Sequence, residues 1–224
     1  MRLVAGIRQK SSTSVLVCFA LKTEAAPLRR CVAARPEIRI LLTGVGPSNA
    51  ERSLRAALAG EKPAAVLTCG FAGGLDPALA SGTVVFAADE EAGFSEDLRA
   101  LGARPARFHC AARIAVSAAE KKALRLSTGA DAVEMESEVI RRMCREQHIP
   151  SATIRVISDI AGEDLPWDFN RSMTPDGGLN YGKLVQAVLR SPGRIAGLLR
   201  LRGQCRAAAR NLARVLERLL SDRR

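Results

Sequence analysis

The sequence has few aromatic residues and few metal-binding residues. Aromatics make up 4% of its 224 residues, so the core has to be built from aliphatic side chains. It has two histidines, and its six cysteines are scattered without a CxxC pair, which argues against a zinc site or a disulfide framework. Three of the cysteines (Cys18, Cys69 and Cys144) lie in apolar segments, where a thiol usually acts as a small hydrophobe. We expect no metal and no other cofactor.

Long hydrophobic runs are missing as well. No stretch approaches the roughly 18 apolar residues of a membrane span, and Arg8, Gln9 and Lys10 interrupt the N-terminus before a secretory pattern develops. With 47% hydrophobic and 25% charged residues, the composition is that of an ordinary globular protein. These features predict a cytoplasmic protein with a single domain over residues 1–224.

Positive charge is concentrated at the C-terminus. The net charge is +11, and residues 191–224 hold nine arginines against Glu217 and Asp222. Apolar residues and arginines recur there with helical spacing, which predicts an amphipathic helix over about 195–220. This helix either docks its apolar side on the sheet with its arginines in solvent, or contacts an anionic surface such as a membrane or an acidic partner. Nucleic acid is not expected, because no aromatic platform accompanies the charge.

Apolar runs alternate with turn residues and helical patterns along the chain. This alternation with short connections predicts the α/β class, as a three-layer α/β/α domain with helices on both sides of a largely parallel, mixed sheet. Strands are predicted at 15–20, 38–43, 64–69, 83–88, 113–117, 132–135 and 153–157, and helices at 23–30, 50–59, 138–147, 179–189 and 195–220.

Acids follow two of the predicted strands. Glu134 and Glu136 flank Met135 at the end of one strand, and Ser158 and Asp159 follow another. Open α/β sheets place their sites at the carboxyl ends of strands, so this pattern predicts an enzyme.

Glycine turns follow two further strands, at 44–46 and 70–74. Glycines there allow backbone N–H groups to approach a ligand, although tight-turn geometry explains them equally well. Neither turn matches a dinucleotide or nucleoside triphosphate motif.

Three motifs, in their order and spacing, resemble the purine nucleoside phosphorylase and nucleosidase superfamily. They are Gly70-Phe-Ala-Gly-Gly-Leu75, Val133-Glu-Met-Glu-Ser137 and Arg155-Val-Ile-Ser-Asp159. Within the superfamily the similarity is closest to methylthioadenosine/S-adenosylhomocysteine nucleosidases. The Ala20-Leu-Lys-Thr-Glu24 start, the loop at 164–171 and the Arg-rich C-terminus resemble the hopanoid-associated phosphorylase branch. The resemblance covers roughly residues 13–220 and implies cleavage of a purine nucleoside's N-glycosidic bond, with adenine as the expected base.

The resemblance also implies roles for the acids. Asp159, oriented by Ser158, gives a hydrogen bond or proton to purine N7, because a purine leaves poorly as an anion; the alternative is an Asp that caps the following loop. Glu136 binds the ribose hydroxyls and Met135 packs on the sugar, which requires the chain to bend near Met135. Glu134 either supports this group or is solvated at a strand end.

Glu24 aligns with the acid that activates the attacking water in the nucleosidases. The alternative is a first-turn carboxylate favoured by the helix dipole. Water is slightly favoured over phosphate as the acceptor, because phosphate needs cationic clamps and Thr68 stands where the phosphorylases carry an arginine. If phosphate is the co-substrate, Arg29 and Arg30 are candidates for binding it.

Phe71, Ala72 and Gly73 are expected to line the pocket, with Phe71 narrowing one corner. The usual base-stacking aromatic is missing, and Phe94, Phe108 or a partner subunit is a candidate replacement.

The short segment 89–107 predicts an open 5′ side. Together with the C-terminal helix, this favours an adenosylated lipid as substrate and a location at the inner membrane face. The resemblance also implies a homo-oligomer. The alternative to an enzyme is a catalytically inert protein that binds a nucleoside.

Overall fold

The computed structural model describes residues 14–172, 174, 193 and 195–221. These residues contain eight strands that join into one mixed sheet. The strands are β1 (Val15–Phe19), β2 (Ile38–Leu42), β3 (Ala65–Gly74), β4 (Val84–Ala88), β5 (Arg104–Pro105), β6 (Phe108–Cys110), β7 (Ala132–Glu134) and β8 (Ser151–Asp159).

Six α-helices lie in the described part of the chain. They are α1 (Lys22–Cys31), α2 (Pro47–Leu58), α3 (Ser95–Ala100), α4 (Ala118–Thr128), α5 (Ser137–Glu146) and α6 (Ile195–Ser221). Short 3-10 turns occur at Glu90–Ala92 and Phe169–Ser172.

The sheet order is β2-β1-β3-β8-β4-β5. The first four strands in this order are mutually parallel, and β4 runs antiparallel to β8. Strand β7 pairs antiparallel with the end of β3 and parallel with β6. The predicted fold class, three layers around a mixed and largely parallel sheet, is confirmed. The carboxyl ends of β1, β2, β3 and β8 all meet at one edge, and β7 adds its own end to that edge.

Two apolar layers hold the helices on the sheet. On one face, helices α1, α3 and α6 pack around Phe19, Leu28 and Leu216. On the other face, helices α2 and α5 pack around Leu54 and Ile140. The C-terminal half of α6 therefore docks its apolar side on the sheet, as one of the two alternatives for this helix predicted.

One predicted strand is wrong. Residues 113–117 form no strand, because loops elsewhere in the chain take their backbone groups. The side chain of Asn170 bonds both the N–H and the carbonyl of Ile114, at 2.9 and 3.0 Å. The N–H of Leu165 donates to the Val116 carbonyl at 2.8 Å.

Four short or polar elements were absent from the prediction, namely α3, α4, β5 and β6. The predicted helix at 179–189 lies outside the described residues. Within the described ranges, none of the helices combines the length and hydrophobicity that crossing a bilayer requires.

Candidate active site

Three carboxylates converge at the edge where the parallel strands end. Glu24 lies in the first turn of α1 just after β1, Glu136 follows β7, and Asp159 is the last residue of β8. They are 4%, 5% and 8% exposed. Burying ionised carboxylates is costly unless they are paired and hydrogen-bonded, so their partners define the chemistry of the site.

Arg155 is the cation at one end of the site, and it is 1% exposed. Its Nη2 lies 2.5 Å from Glu134 Oε2 and 3.3 Å from Glu136 Oε2. The same guanidinium donates to Thr68 Oγ1 at 3.2 Å and to the Cys69 carbonyl at 3.3 Å. Burial disfavours the charge, but the carboxylates of Glu134 and Glu136 raise the pKa of Arg155 above its ordinary value. Arg155 therefore stays charged and ties β3, β7 and β8 together.

Glu134 is held by hydrogen bonds to other residues of the site. Besides Arg155, it accepts hydrogen bonds from the N–H groups of Glu136 (3.0 Å) and Ser137 (2.8 Å) and from the Ser137 hydroxyl (2.7 Å). Burial works to raise the pKa of Glu134, but Arg155 and these hydrogen bonds lower it below the ordinary value. Glu134 is therefore buried and paired rather than solvated at the strand end, and its supporting role stays a prediction.

The chain bends where the motif requires it. Strand β7 ends at Glu134, and Glu136 already occupies the N-cap position of helix α5, with φ −128° and ψ −27°. Because of this bend, Glu134 and Glu136 both reach Arg155 while Met135 between them is 8% exposed.

Glu136 is held by two donors. Oε1 accepts from the Gly46 N–H at 2.9 Å, and Oε2 accepts from Arg155 at 3.3 Å. Burial, with a contribution from Glu134, raises the pKa of Glu136 above its ordinary value. Each carboxylate oxygen has a further lone pair, so a fixed Glu136 retains the capacity to accept two ligand hydroxyls.

Glu24 is also anchored by the backbone. Oε1 accepts from the Phe71 N–H and Oε2 accepts from the Leu21 N–H, both at 2.8 Å. Burial raises the pKa of Glu24 to about 7. A carboxyl that titrates near neutral pH is suited to take a proton from water. Both alternatives for this residue have structural support, since the bond to Leu21 also satisfies the start of α1.

Asp159 has a cation of its own. Its Oδ2 lies 2.6 Å from the Lys121 ammonium, and the Ser158 hydroxyl lies 2.6 Å from its Oδ1. Lys121 comes from helix α4 and is fully buried. Asp159 is therefore fixed by the side chain of Lys121 and by that of its own neighbour, Ser158.

The end of β3 contacts both groups of acids. Phe71 bonds Glu24 through its N–H, and the Ala72 carbonyl lies 3.3 Å from the Ser158 hydroxyl. A Cβ placed on Gly73 would lie 3.4 Å from Asp159 Oδ2. These three residues therefore link Glu24 to Asp159, and their part in lining a pocket stays a prediction.

The two aromatic residues proposed to stack on the base lie in different surroundings. Phe94 is 0% exposed in the core around α1 and α6. Phe108 lines a different cleft of about 400 Å³ between β4, β6 and α5. The proposed phosphate ligands Arg29 and Arg30 are exposed in the last turn of α1, roughly 7.5 and 9 Å further along the helix axis than Glu24.

Two residues of the site were given no role by the sequence analysis. The sequence does contain a signal for Arg155, because a cation inside an apolar β-branched run has to be paired when that run is buried. The sequence signal for Lys121 is weaker. Ser117 and Glu120 form an S-x-x-E helix start, and the Ser117 hydroxyl accepts from the Glu120 N–H at 3.1 Å. That pattern locates α4 but does not reveal that Lys121 points inward.

The sequence matches a family profile and known relatives, and the fold matches a solved structure. The family profile of the Phosphorylase superfamily matches residues 25–108 and 90–190. A 5′-methylthioadenosine/S-adenosylhomocysteine nucleosidase of Anoxybacillus flavithermus is 26% identical over 79% of this chain and 97% of its own length. One from Glaesserella parasuis is also 26% identical, over 68% of this chain and 80% of its own. The structure of futalosine hydrolase from Helicobacter pylori has the same fold, with a TM-score of 0.71, 14% identity and coverage of 94% and 98%.

Proposed function

Because the chain belongs to the Phosphorylase superfamily, we propose that it cleaves the N-glycosidic bond of a purine nucleoside, with a 5′-modified adenosine as substrate and water as acceptor. The observation that carries this proposal is the arrangement of Glu24, Glu136 and Asp159 at one sheet edge, each fixed by its own donors.

At the sugar, Glu136 accepts hydrogen bonds from the ribose 2′- and 3′-hydroxyls, and Met135 packs on the ring. As the bond to the base lengthens, the sugar gains oxocarbenium character. The carboxylates around Arg155 then stabilise a positive charge that is absent from the ground state, which is how electrostatic catalysis lowers a barrier.

At the two reacting atoms, protons move in opposite directions. Asp159 gives a proton to purine N7, so the base departs neutral when the bond between C1′ and N9 breaks. A water molecule attacks C1′ and loses a proton to Glu24. The two carboxyls exchange protons with solvent after the products leave, and no cofactor is required.

Water is favoured over phosphate by the charges near Glu24. The cation beside Glu24 is Arg155, and its guanidinium is already bound to Glu134 and Glu136. A dianionic phosphate would face these carboxylates, whereas a neutral water only needs the base that Glu24 supplies.

The test uses 5′-methylthioadenosine in ¹⁸O-water, with and without inorganic phosphate. We expect adenine release that is independent of phosphate, and a free sugar carrying one ¹⁸O at C1′. Strict dependence on phosphate with a sugar 1-phosphate product would replace hydrolysis by phosphorolysis. An unreactive protein that still binds the nucleoside by calorimetry would establish the inert binding protein instead.

We also propose that the first half of α6 contacts an anionic membrane surface, which suits an adenosylated lipid as substrate, for instance an adenosylated hopanoid. Ile195 and Leu199 are 42% and 59% exposed there, and Arg200, Arg202 and Arg206 surround them in solvent. Hydrophobic and cationic side chains together are typical of interfacial helices.

Removing α6 is not a useful test, because its second half belongs to the core. The double variant Ile195→Ser/Leu199→Ser is expected to lose co-sedimentation with phosphatidylglycerol vesicles. Leu126→Ser, at a residue 79% exposed on α4, is the matched control. Equal binding by both variants would reject the membrane contact.

A homo-oligomer, in which a neighbour completes the 5′ side of the pocket, is part of the same proposal. Light scattering of the purified chain measures it, and a monomer with full activity would reject it.

A further inference from the structure

Lys121 is the most deeply buried cation outside the Arg155 cluster among the described residues, and the chemistry proposed above does not use it. Its ammonium has three N–H groups and three acceptors. These are Asp159 Oδ2 at 2.6 Å and the carbonyls of Ile160 and Glu163, both at 2.8 Å. The side chain is 0% exposed, so no solvent competes for these bonds.

The position of Lys121 is set by a well-defined helix start. Ser117 caps α4, and Glu120 accepts from the Val116 N–H at 2.8 Å, so the first turn of the helix is fixed. Asp164 accepts from the Ala118 N–H at 2.7 Å, which ties the loop after β8 to the same turn. The ammonium therefore reaches Asp159 from a rigid support.

An ammonium at this place has a specific consequence for an acid. When Asp159 gives its proton to purine N7, it becomes a carboxylate in a site with little water. A cation already held against Oδ2 stabilises the negative charge that develops in that step, without any rearrangement. Oδ1 lies outside this ion pair and accepts a hydrogen bond from the Ser158 hydroxyl at 2.6 Å.

We propose that Lys121 is a positioning residue for the departing base: it holds Asp159 in place and stabilises the carboxylate formed when the proton passes to N7. This inference rests on the proposed nucleosidase function. In the step, the proton moves from Asp159 to N7, the electrons of the bond between C1′ and N9 pass to the purine, and Lys121 keeps its own proton. The role predicts an effect only where the leaving group needs an acid.

The experiment compares two substrates. 5′-Methylthioadenosine releases a purine that needs protonation, whereas 4-nitrophenyl β-D-ribofuranoside releases an anion that departs without an acid. For Lys121→Met we expect kcat for adenine release to fall about 100-fold, within the usual range of general acid catalysis. Nitrophenol release should stay within about threefold of wild type, and KM for both substrates should change little.

Lys122→Met is the matched control, since the neighbouring lysine is exposed on the same helix. It should behave as wild type with both substrates.

A double-mutant cycle separates this role from a purely structural one. If Lys121 acts through Asp159, Lys121→Met should cost nothing further for adenine release in an Asp159→Asn background. The double variant also removes both charges of the buried pair, so no charge is left buried without a partner. The test can therefore still be carried out if Lys121→Met alone folds poorly.

Three results would overturn the inference: unchanged adenine release in Lys121→Met, an equal loss with both substrates, or an undiminished loss in the Asp159→Asn background. A wild-type protein that cleaves neither substrate overturns the proposed function and this inference with it. The wild-type measurement therefore distinguishes the two failures.

Discussion

The two ends of the site are both built around a buried cation, yet they are balanced differently. At the sugar end, Arg155 faces the three carboxylates of Glu24, Glu134 and Glu136. At the base end, Lys121 faces the single carboxylate of Asp159 and two backbone carbonyls. The sugar end therefore has more negative than positive charge, and the base end becomes evenly matched once Asp159 has given up its proton.

This difference follows the charge changes of the proposed reaction. The sugar becomes more positive in the transition state, so an excess of carboxylates stabilises it. The acid at the base end becomes negative as it gives up its proton, so it needs a cation of its own. The two ends are expected to fail in different ways when each is altered.

The largest expected effect is a loss of rate that depends on the leaving group when the base end is altered, but not when the sugar end is altered. Asp159→Asn should reduce adenine release from 5′-methylthioadenosine by about 10²–10⁴-fold while sparing 4-nitrophenyl β-D-ribofuranoside. Glu24→Gln should reduce cleavage of both substrates, because both need an activated water. Steady-state rates for the two substrates measure this, with exposed Glu138→Gln as control. Equal losses in the two variants across both substrates would show that the ends do not act separately.

The next effect concerns folding at the sugar end. Arg155→Met leaves Glu134 and Glu136 buried without their cation, and breaking such a pair from one side costs about 3–5 kcal/mol. Urea unfolding should therefore show a clear loss of stability.

Arg142→Met is the control for Arg155→Met. Arg142 is 55% exposed, with ion pairs of 3.9 and 3.8 Å, and removing an exposed pair costs about 1 kcal/mol or less. Similar losses in the two variants would mean that the sugar-end cluster is not held by its cation.

The same comparison shows how much of this molecule its sequence predicts. The central strands follow from apolar β-branched runs, and the fold class follows from their alternation with helices. The place of Asp159 follows too, because the carboxyl ends of parallel strands share an edge, whereas β7, which brings Glu134 and Glu136 there, is antiparallel to β3. Residues 113–117 form no strand, because side chains and loops far along the chain satisfy their backbone.

The two cations show where local pattern stops being informative. Arg155 interrupts an apolar run, so its burial is readable from its neighbours. Lys121 stands beside Lys122 in a polar helix, and nothing in that stretch distinguishes the buried lysine from the exposed one. Only the packing of α4 against the loop after β8 makes the distinction.

Glu24 gives the sugar end a pH dependence. Its pKa is about 7 when folded, against an ordinary value of 4.5, so folding disfavours its ionised form. Its contribution to stability is intact below pH 4.5 and is lost as pH rises through about 7. By linkage, wild type should lose about 3 kcal/mol relative to Glu24→Gln between pH 4 and pH 8.

Urea unfolding of both proteins across this range measures the loss. Because only ionised Glu24 accepts a proton, kcat/KM of wild type should also rise with pH through about 7. A stability difference that stays constant with pH would show that Glu24 is ionised in the folded protein well below neutral pH.

The smallest effects on stability come from glycines at the two ends. A Cβ on Gly70 would lie 2.7 Å from both Arg155 Nη1 and Glu24 Oε1, and its φ of +149° is unfavourable for other residues. Gly70→Ala should therefore cost about 2–3 kcal/mol of stability and most of the activity.

At the base end a glycine-to-alanine change has more space around the new Cβ. This difference between the two ends is the finest test of the comparison between them. A Cβ on Gly73 would lie 3.2 Å from Val133 Cγ1 and 3.4 Å from Asp159 Oδ2, contacts that small shifts relieve. Gly73→Ala should therefore cost about 1 kcal/mol, and Gly60→Ala, whose Cβ would meet only Ala57 O at 3.9 Å, should cost nothing measurable. Thermal and urea unfolding of the three variants give the order. If Gly73→Ala proved as costly as Gly70→Ala, the base end would be as tightly packed as the sugar end, and a difference in charge balance alone would separate them.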